Sequence, residues 1–256
     1  MIARTTLEKS ILPLAAVIAW ELAGRAGWLP IHLSRPSAIA AALVEVARSG
    51  ELARALAASL LRAYVGFALG AGFGVLVGLG AGMTAAVRHF FDPLVAFLYP
   101  VPKIAFLSVF LLMFGLGNGS QIAIITVAVF FPVYIAARHA VLSVNPLFVW
   151  SGRNMGAGRA TVFRRVVLPA AMPQLFSGLR IGLAHTFVIL FAAELIGARN
   201  GLGYLLVEGE EALRFDIMFA AIAAFAAIGF ASDRVLMAIR LKVLRGQIIG
   251  TQEEMP

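Results

Sequence analysis

The feature that most constrains this chain is a run of 34 residues without a charge, between Lys103 and Arg138. As one α-helix at about 1.5 Å per residue, this run would be roughly 50 Å long, whereas the hydrocarbon core of a bilayer is about 30 Å thick. The glycine-rich stretch 115–120 in its middle is typical of a break between helices. We therefore predict two membrane-spanning helices here, over about residues 94–114 and 121–141.

The composition of the whole chain also favours a membrane protein. Of its 256 residues, 61% are hydrophobic and 13% are charged, and the mean hydropathy is +0.92. Soluble domains carry about 45–50% apolar and about 25% charged residues, so a water-soluble enzyme is disfavoured. Further apolar stretches suited to a span lie at residues 10–24, 63–87, 175–197 and 217–239. We predict an all-α polytopic membrane protein with about six transmembrane helices, built as a single domain over residues 1–256.

The first apolar stretch has two interpretations. Arg4 and Lys9 before a short apolar run are also typical of a cleavable signal peptide. The run ends in Trp20 and Glu21 instead of a small-residue cleavage site, which favours an uncleaved first helix.

A shorter helix is predicted between the first two spans. Pro36 is typical of a first helical turn, and Gly50 is typical of the position just past a helix end. Ile39, Leu43 and Val46 fall on one face, so we expect this helix to lie along the membrane or on the bundle.

The basic residues predict the orientation. The net charge is +8, and segment 138–180 holds six arginines and no acid. Cytoplasmic loops of membrane proteins are enriched in Lys and Arg, so we place this segment and both termini in the cytoplasm. The same rule accounts for the basic balance without a nucleic-acid partner.

Several kinds of chemistry are excluded or disfavoured by residue type. The chain has no cysteine, its four histidines are scattered, and none of its three lysines follows a glycine as a nucleotide-binding P-loop requires. We predict no catalytic residues, no metal site and no cofactor bound by this chain, which cannot hydrolyse ATP by itself.

The second span carries glycines at a spacing of four. Small residues at this spacing let another helix backbone approach closely, which is how helices associate inside a bilayer. The predicted packing residues are Gly66, Gly70, Gly74, Gly78 and Gly82.

The segment of about residues 145–170 has an unusual pattern for a connecting loop. Asn145 and Pro146 end the preceding helix, a glycine-containing stretch follows, and then comes a short amphipathic piece from Thr161 to Leu168 that Pro169 ends. A short helix between glycine and proline, on the inner side between two spans, predicts a protruding cytoplasmic element.

The spacing within this segment resembles a known motif. Gly156, nine residues, then Val166-x-Leu168-Pro169 is similar to the coupling motif of ABC-importer permeases, written E-A-A-x-x-x-G-x9-I-x-L-P. Trp150-Ser151-Gly152 stands where the motif has Glu-Ala-Ala, so the acid is absent. Motifs elsewhere resemble the nitrate/sulfonate/taurine branch: Tyr99-Pro100-Val101-Pro102-Lys103-Ile104-Ala105, Phe114-Gly115-Leu116-Gly117, Phe130-Phe131-Pro132, Gly178-Leu179-Arg180, Ala193-Glu194-Leu195-Ile196-Gly197 and Gly201-Leu202-Gly203-Tyr204.

The resemblance implies the permease subunit of a type I ABC importer in a bacterial inner membrane. It implies a homodimer, two cytoplasmic ATPase subunits that bind ATP and Mg, and an extracytoplasmic substrate-binding protein. ATPase closure would move the short helix near 157–168 and switch the pathway between its outward and inward openings. The residues implied to contact the ATPase are Arg153, Gly156, Ala157, Arg159, Phe163, Arg164, Leu168 and Pro169.

Charges within the spans indicate a pathway. Lys103 lies inside the third predicted span. Arg180 lies near the inner entrance of the membrane, and Glu194 lies near the outer end of the fifth span. A lysine at depth costs roughly 2.5–3.5 kcal/mol on insertion scales unless it meets water or a partner. A polar cavity containing Lys103 would favour a small anionic solute. Alternatively, Lys103 reaches the inner head groups.

Two further interpretations concern partners and energy source. The acids Glu208, Glu210, Glu211 and Asp216 form an outer segment that would dock the binding protein, although a solvated loop explains them equally well. An ion-coupled secondary transporter is the alternative function, but such proteins place acids near the midplane, and residues 93–193 contain none.

Overall fold

The computed structural model describes residues 2–245, with side chains from residue 11 onward, and no strand occurs in this part of the chain. The helices are α1 (Ile2–Arg25), α2 (Pro36–Arg48), α3 (Glu51–Met83), α4 (Ala85–Leu98), α5 (Phe106–Phe114), α6 (Asn118–Leu142), α7 (Pro146–Asn154), α8 (Arg159–Val162), α9 (Leu168–Gly197), α10 (Leu202–Glu211) and α11 (Phe215–Leu244). A 3-10 turn at Lys103–Ala105 precedes α5, and a π-helical turn at Phe163–Val167 joins α8 to α9.

Four helices within the described residues are long and apolar enough to cross a bilayer: α3, α6, α11 and the continuous helix Arg159–Gly197, which includes α9. The pair formed by α4 and the segment Lys103–Phe114 counts as a fifth if both parts belong to one span. The all-α membrane fold is therefore confirmed, and the predicted number of about six spans is approximate.

The prediction of one straight helix over residues 94–114 is wrong. α4 begins at Ala85, and the chain bends by 87° before it continues as the segment Lys103–Phe114. Pro100 and Pro102 cause the break because proline has no N–H to donate and moves the residue before it away from helical geometry.

The predicted short helix between the first spans is confirmed. α2 begins at Pro36 and ends at Arg48, with Val46 buried where α2 packs on α10 and α11. Gly50 follows with a φ of +78°, a backbone conformation that favours glycine.

The centre of the bundle is α6, which packs between α3 and α9. Ile124, Ile125, Val129 and Val133 of α6 are fully buried. α3 and α6 approach so closely that a Cβ built on Gly70 would lie 2.5 Å from the carbonyl oxygen of Thr126. One built on Gly78 would lie 2.6 Å from the carbonyl oxygen of Tyr134. Gly66, Gly74 and Gly82 face α6 in the same way, so all five glycines of the series lie in one interface.

The bundle has two chemically different ends. α6 and α9 run in opposite directions, so the segment 145–170 lies at one end, which we call the arginine-rich end. The other end carries the start of α6, the end of α9 and α10 with its three glutamates, and we call it the acidic end. The 25 residues of α6 separate the two ends by roughly 37 Å.

Candidate functional sites

The segment at the arginine-rich end is built from two short helices and a tight turn. The side chain of Asn145 caps α7 by accepting a 3.0 Å hydrogen bond from the N–H of Leu147. Gly156 has a φ of +82° in the turn after α7, where the N–H of Ala157 donates to the carbonyl of Gly152. The chain reverses there, so that α7 and α8 pack against each other.

A short helix from Thr161 to Leu168 was predicted to end at Pro169, and this end point is wrong. The helix that begins at Arg159 continues to Gly197 without a stop. Pro169 follows the π-helical turn at 163–167, and the wider turn accommodates a residue that cannot donate to the preceding turn. The short element that does stand free of the long helices is α7.

α7 has two faces of different character. Val149 and Arg153 face the bundle, where they line a cavity of about 450 Å³. Gly152 also faces inward, since a Cβ built on it would lie 3.4 Å from Val162. The exposed apolar side chains are Leu147, Phe148 and Trp150 of α7 and Met155 just after it, at 58–87% exposure, beside the exposed polar Ser151 and Asn154. We call the four apolar residues the outward apolar face.

The residues implied to contact an ATPase are therefore distributed over different surroundings. Arg153, Arg159 and Phe163 line the cavity behind α7, with both arginines exposed and Phe163 half-buried. Arg164 and Gly156 are also exposed, Ala157 and Leu168 are half-buried, and Leu168 begins α9.

Lys103 lies at the bend between α4 and α5 and not along a straight span. Its ammonium donates hydrogen bonds to the carbonyls of Tyr99 and Val101, the latter at 2.9 Å. The same nitrogen lies 5.1 Å and 5.0 Å from the ring centroids of Tyr99 and Phe131, within range of a cation–π interaction. Carbonyls and rings thus hold the cation at the helix break.

Lys103 lines a cleft of about 310 Å³ between the bend, α6 and α9. His185 of α9 also lines this cleft, and prolines and apolar side chains make up most of the remainder. No carboxylate is among the lining residues. The cleft therefore has a positive centre in apolar surroundings.

Glu194 belongs to a buried ionic cluster at the acidic end. Its Oε1 accepts a 2.7 Å hydrogen bond from Nη1 of Arg62, with both side chains almost completely buried. The hydroxyl of Ser59 and the N–H of Gly203 also donate to this carboxylate. Arg62 additionally donates to Asn118 at 2.7 Å and to Asn200. One carboxylate and one guanidinium thus connect α3, α6, α9 and the turn before α10.

Arg62 was not predicted as the partner of Glu194. Arg62 immediately precedes the second apolar stretch and Glu194 closes the fifth, so both were expected near the same membrane surface. Opposite charges at the same depth of two antiparallel helices would have indicated the pair.

Arg180 is paired as well. Its Nε and Nη2 donate to the two carboxylate oxygens of Asp233 on α11, at 2.6 Å and 3.0 Å. Arg180 and Asp233 line a separate cleft between α9 and α11. The structure therefore does not bring Lys103, Arg180 and Glu194 into one cavity.

The bent helix pair, the tightly packed apolar core and the short helical segment at one end make up an all-α fold like that of type I ABC-importer permeases. The chain belongs to the family described as binding-protein-dependent transport system inner membrane components, which matches residues 70–245. It is thus a transport permease and not an enzyme, as predicted.

Alignments with relatives in this family extend over nearly the whole chain. The taurine transport system permease protein TauC of Escherichia coli (strain K12) is 34% identical over 245 residues, which is 94% of this chain and 89% of that protein. The putative aliphatic sulfonates transport permease protein SsuC of Bacillus subtilis (strain 168) is 31% identical over 236 residues, 92% of this chain and 86% of that protein. The predicted resemblance to the sulfonate/taurine branch is confirmed.

Solved structures confirm the fold. An inward-facing structure of the MetNI methionine ABC transporter matches with a TM-score of 0.53 and 20% identity, covering 81% of this chain and 99% of that one. An amino acid ABC transporter with histidines matches with a TM-score of 0.55 and 17% identity, covering 79% and 97%. At these identities the likeness concerns the fold alone.

Proposed function

We propose that this permease forms the translocation pathway for a small anionic solute of the sulfonate class, and that the solute passes Lys103. The observation that carries the proposal is the cleft at the helix break, which holds the Lys103 ammonium and no carboxylate. A cation fixed in apolar surroundings attracts an anion strongly because little water screens the interaction. The names of the TauC and SsuC relatives, taurine and aliphatic sulfonates, support this class of solute.

The arginine-rich end faces the cytoplasm in this proposal. Segment 138–180 carries six arginines without an acid, whereas the acidic end carries Glu208, Glu210 and Glu211 on α10. Lys and Arg enrichment on the inner side sets this orientation. Both termini are then cytoplasmic in a bacterial inner membrane; residue 1 and residues 246–256 lie outside the described part.

The outward apolar face of α7 is the proposed contact with the ATPase. Large exposed apolar side chains at the tip of a cytoplasmic segment are typical of a protein interface. Trp150 occupies the position of the acid in the family motif, so shape and apolar contact replace a charge there. Two ATPase subunits, which bind ATP and Mg, would act on the two copies of a permease homodimer.

The binding protein would dock at the acidic end. Glu208, Glu210 and Glu211 are exposed on α10. Asp216 is instead engaged within the chain, because Arg214 bridges it to Glu45 at 2.9 Å and 2.8 Å. The docking surface is therefore proposed for the three glutamates of α10 and no longer for Asp216.

The buried charges argue against an ion-coupled secondary transporter. In the described part of the chain, Glu194 is the one carboxylate that is almost completely buried, and Arg62, the Ser59 hydroxyl and the Gly203 N–H already satisfy it. Such a carboxylate is poorly suited to binding and releasing a coupling ion.

The test is uptake by proteoliposomes that contain the permease with its ATPase and binding protein. We expect accumulation of labelled taurine or an alkanesulfonate that requires internal ATP and persists when ionophores collapse the ion gradients. Uptake without ATP that the ionophores abolish would instead establish the secondary-transporter alternative.

A further inference from the structure

We propose that the cavity behind α7 binds the phosphate head group of an anionic phospholipid. The cavity has a volume of about 450 Å³ and lies between the α7–α8 pair and the ends of α3 and α6 at the arginine-rich end. It is separate from the Lys103 cleft and from the outward apolar face.

Two arginines supply the charge for a phosphate. Arg153 lies in the last turn of α7 and Arg159 begins α8, and the turn at Gly156 brings both to the same cavity, which is open to the surface so that both side chains are exposed. Within the described part of the chain neither forms an ion pair, whereas Arg138 and Arg180 each pair with an aspartate. Two uncompensated guanidinium groups around one space are well suited to bind a phosphate through charge-assisted hydrogen bonds.

The rest of the cavity favours a lipid over a free ion. Most of the other lining side chains are apolar, including Val144, Val149 and Phe163. A free phosphate would use only the arginines, whereas the glycerol and upper acyl carbons of a lipid would also cover the valines.

The position of the cavity fits the head-group region of a bilayer. It lies where α3 ends at Met83 and α6 ends at Leu142, both of which are apolar and exposed. Basic pockets between helices on the cytoplasmic side are typical sites for anionic head groups. Assignment to the inner leaflet rests on the proposed orientation. Arg153 and Arg159 line the cavity, whereas Trp150 of the proposed ATPase contact does not.

The experiment measures phosphatidylglycerol retained by the intact complex after extraction from nanodiscs of phosphatidylcholine and phosphatidylglycerol, with native mass spectrometry as the readout. We expect Arg153→Gln/Arg159→Gln to lower the retained phosphatidylglycerol several-fold. The matched control is Arg164→Gln/Arg165→Gln, which removes the same charge from the next turn, outside the cavity, and should retain the lipid. Co-purified ATPase, measured in the same samples, shows separately whether the proposed coupling contact is intact.

Three outcomes would overturn the proposal: equal loss in both double variants, no loss in either, or saturable binding of inorganic phosphate to the delipidated complex that requires Arg153 and Arg159. The last would assign the cavity to a free anion. If the first double variant does not fold, Val144→Phe decides, since it fills the apolar part of the cavity and leaves both arginines in place. Reduced lipid retention in that variant supports the site, and unchanged retention contradicts it.

Discussion

Arg62 and Glu194 are 132 positions apart in sequence, yet Nη1 of Arg62 lies 2.7 Å from Oε1 of Glu194 in the interior of the bundle. The pair is 2% and 1% exposed. Each partner also has further hydrogen bonds, from Ser59 to the carboxylate and from the guanidinium to Asn118. The pair therefore fixes the acidic ends of α3, α6 and α9 relative to one another.

Removing one partner of this pair should destabilise the permease strongly. Glu194→Gln leaves the guanidinium buried without its counter-charge, and breaking such a pair costs about 3–5 kcal/mol. The melting temperature of the purified protein should fall clearly. Arg180→Met is the control, because the Arg180–Asp233 pair is half-exposed and such pairs contribute about 0–1 kcal/mol.

The double variant Arg62→Met/Glu194→Gln separates the charge from the packing. It leaves no buried net charge, so it should melt closer to the unaltered protein than Glu194→Gln alone. If the losses of melting temperature for Arg62→Met and Glu194→Gln, each measured alone, add up in the double variant, the ion pair is not the source of the stability.

Two glycines of α3 should respond in opposite directions to the same substitution. A Cβ on Gly70 would meet the backbone oxygen of Thr126 at 2.5 Å, whereas one on Gly72 has nothing within 4 Å. Gly70→Ala should lower stability by about 1–3 kcal/mol through overpacking. Gly72→Ala should be neutral or stabilising by up to about 1 kcal/mol through helix propensity. Similar melting temperatures for both would mean that α3 and α6 are not in close contact.

Gly156 is expected to be essential for the shape of the coupling segment. Its φ of +82° is strongly unfavourable for a β-branched residue, so Gly156→Val should displace α7 from α8 and reduce the amount of co-purified ATPase. Gly156→Asn is the control, because asparagine tolerates this conformation. Normal ATPase binding by the valine variant would remove the basis for assigning the segment to coupling.

Trp150 provides a test of the outward apolar face. Trp150→Ser should weaken ATPase association because it removes a large exposed aromatic side chain from the centre of the proposed contact. Trp28→Ser is the matched control, because Trp28 is 83% exposed and lies after α1, in a different part of the chain. Equal effects of Trp150→Ser and Trp28→Ser on co-purified ATPase would contradict the assignment.

The sequence predicted the membrane class, the break at 115–120 and α2, because each depends on local features. Apolar length determines a span, and Pro36 and Gly50 mark the ends of a helix wherever it packs. The spacing around Gly156, together with the motifs elsewhere in the chain, likewise indicated the family because each is a local pattern.

The features that the sequence did not reveal depend on packing between distant segments. The bend at Pro100 and Pro102 lies within a predicted span, where neighbouring helices can stabilise broken backbone. The continuation of the helix past Pro169 requires the π-helical turn at 163–167, for which the residue pattern gives no indication. The pairing of Glu194 with Arg62 requires α3 and α9 to pack side by side, and the equal depth of the two charges is the one signal of it in the sequence.

Lys103→Met in the reconstituted complex shows whether an anionic solute passes Lys103. The ammonium is held by two carbonyls and two rings at the helix break, so its loss should leave the fold and the binding-protein-stimulated ATP hydrolysis in place. Lys242→Met, at the end of α11 and outside the cleft, is the matched control. Sulfonate uptake per ATP hydrolysed should fall several-fold for Lys103→Met and stay unchanged for Lys242→Met. Unchanged uptake by the Lys103→Met complex would show that the solute does not pass Lys103.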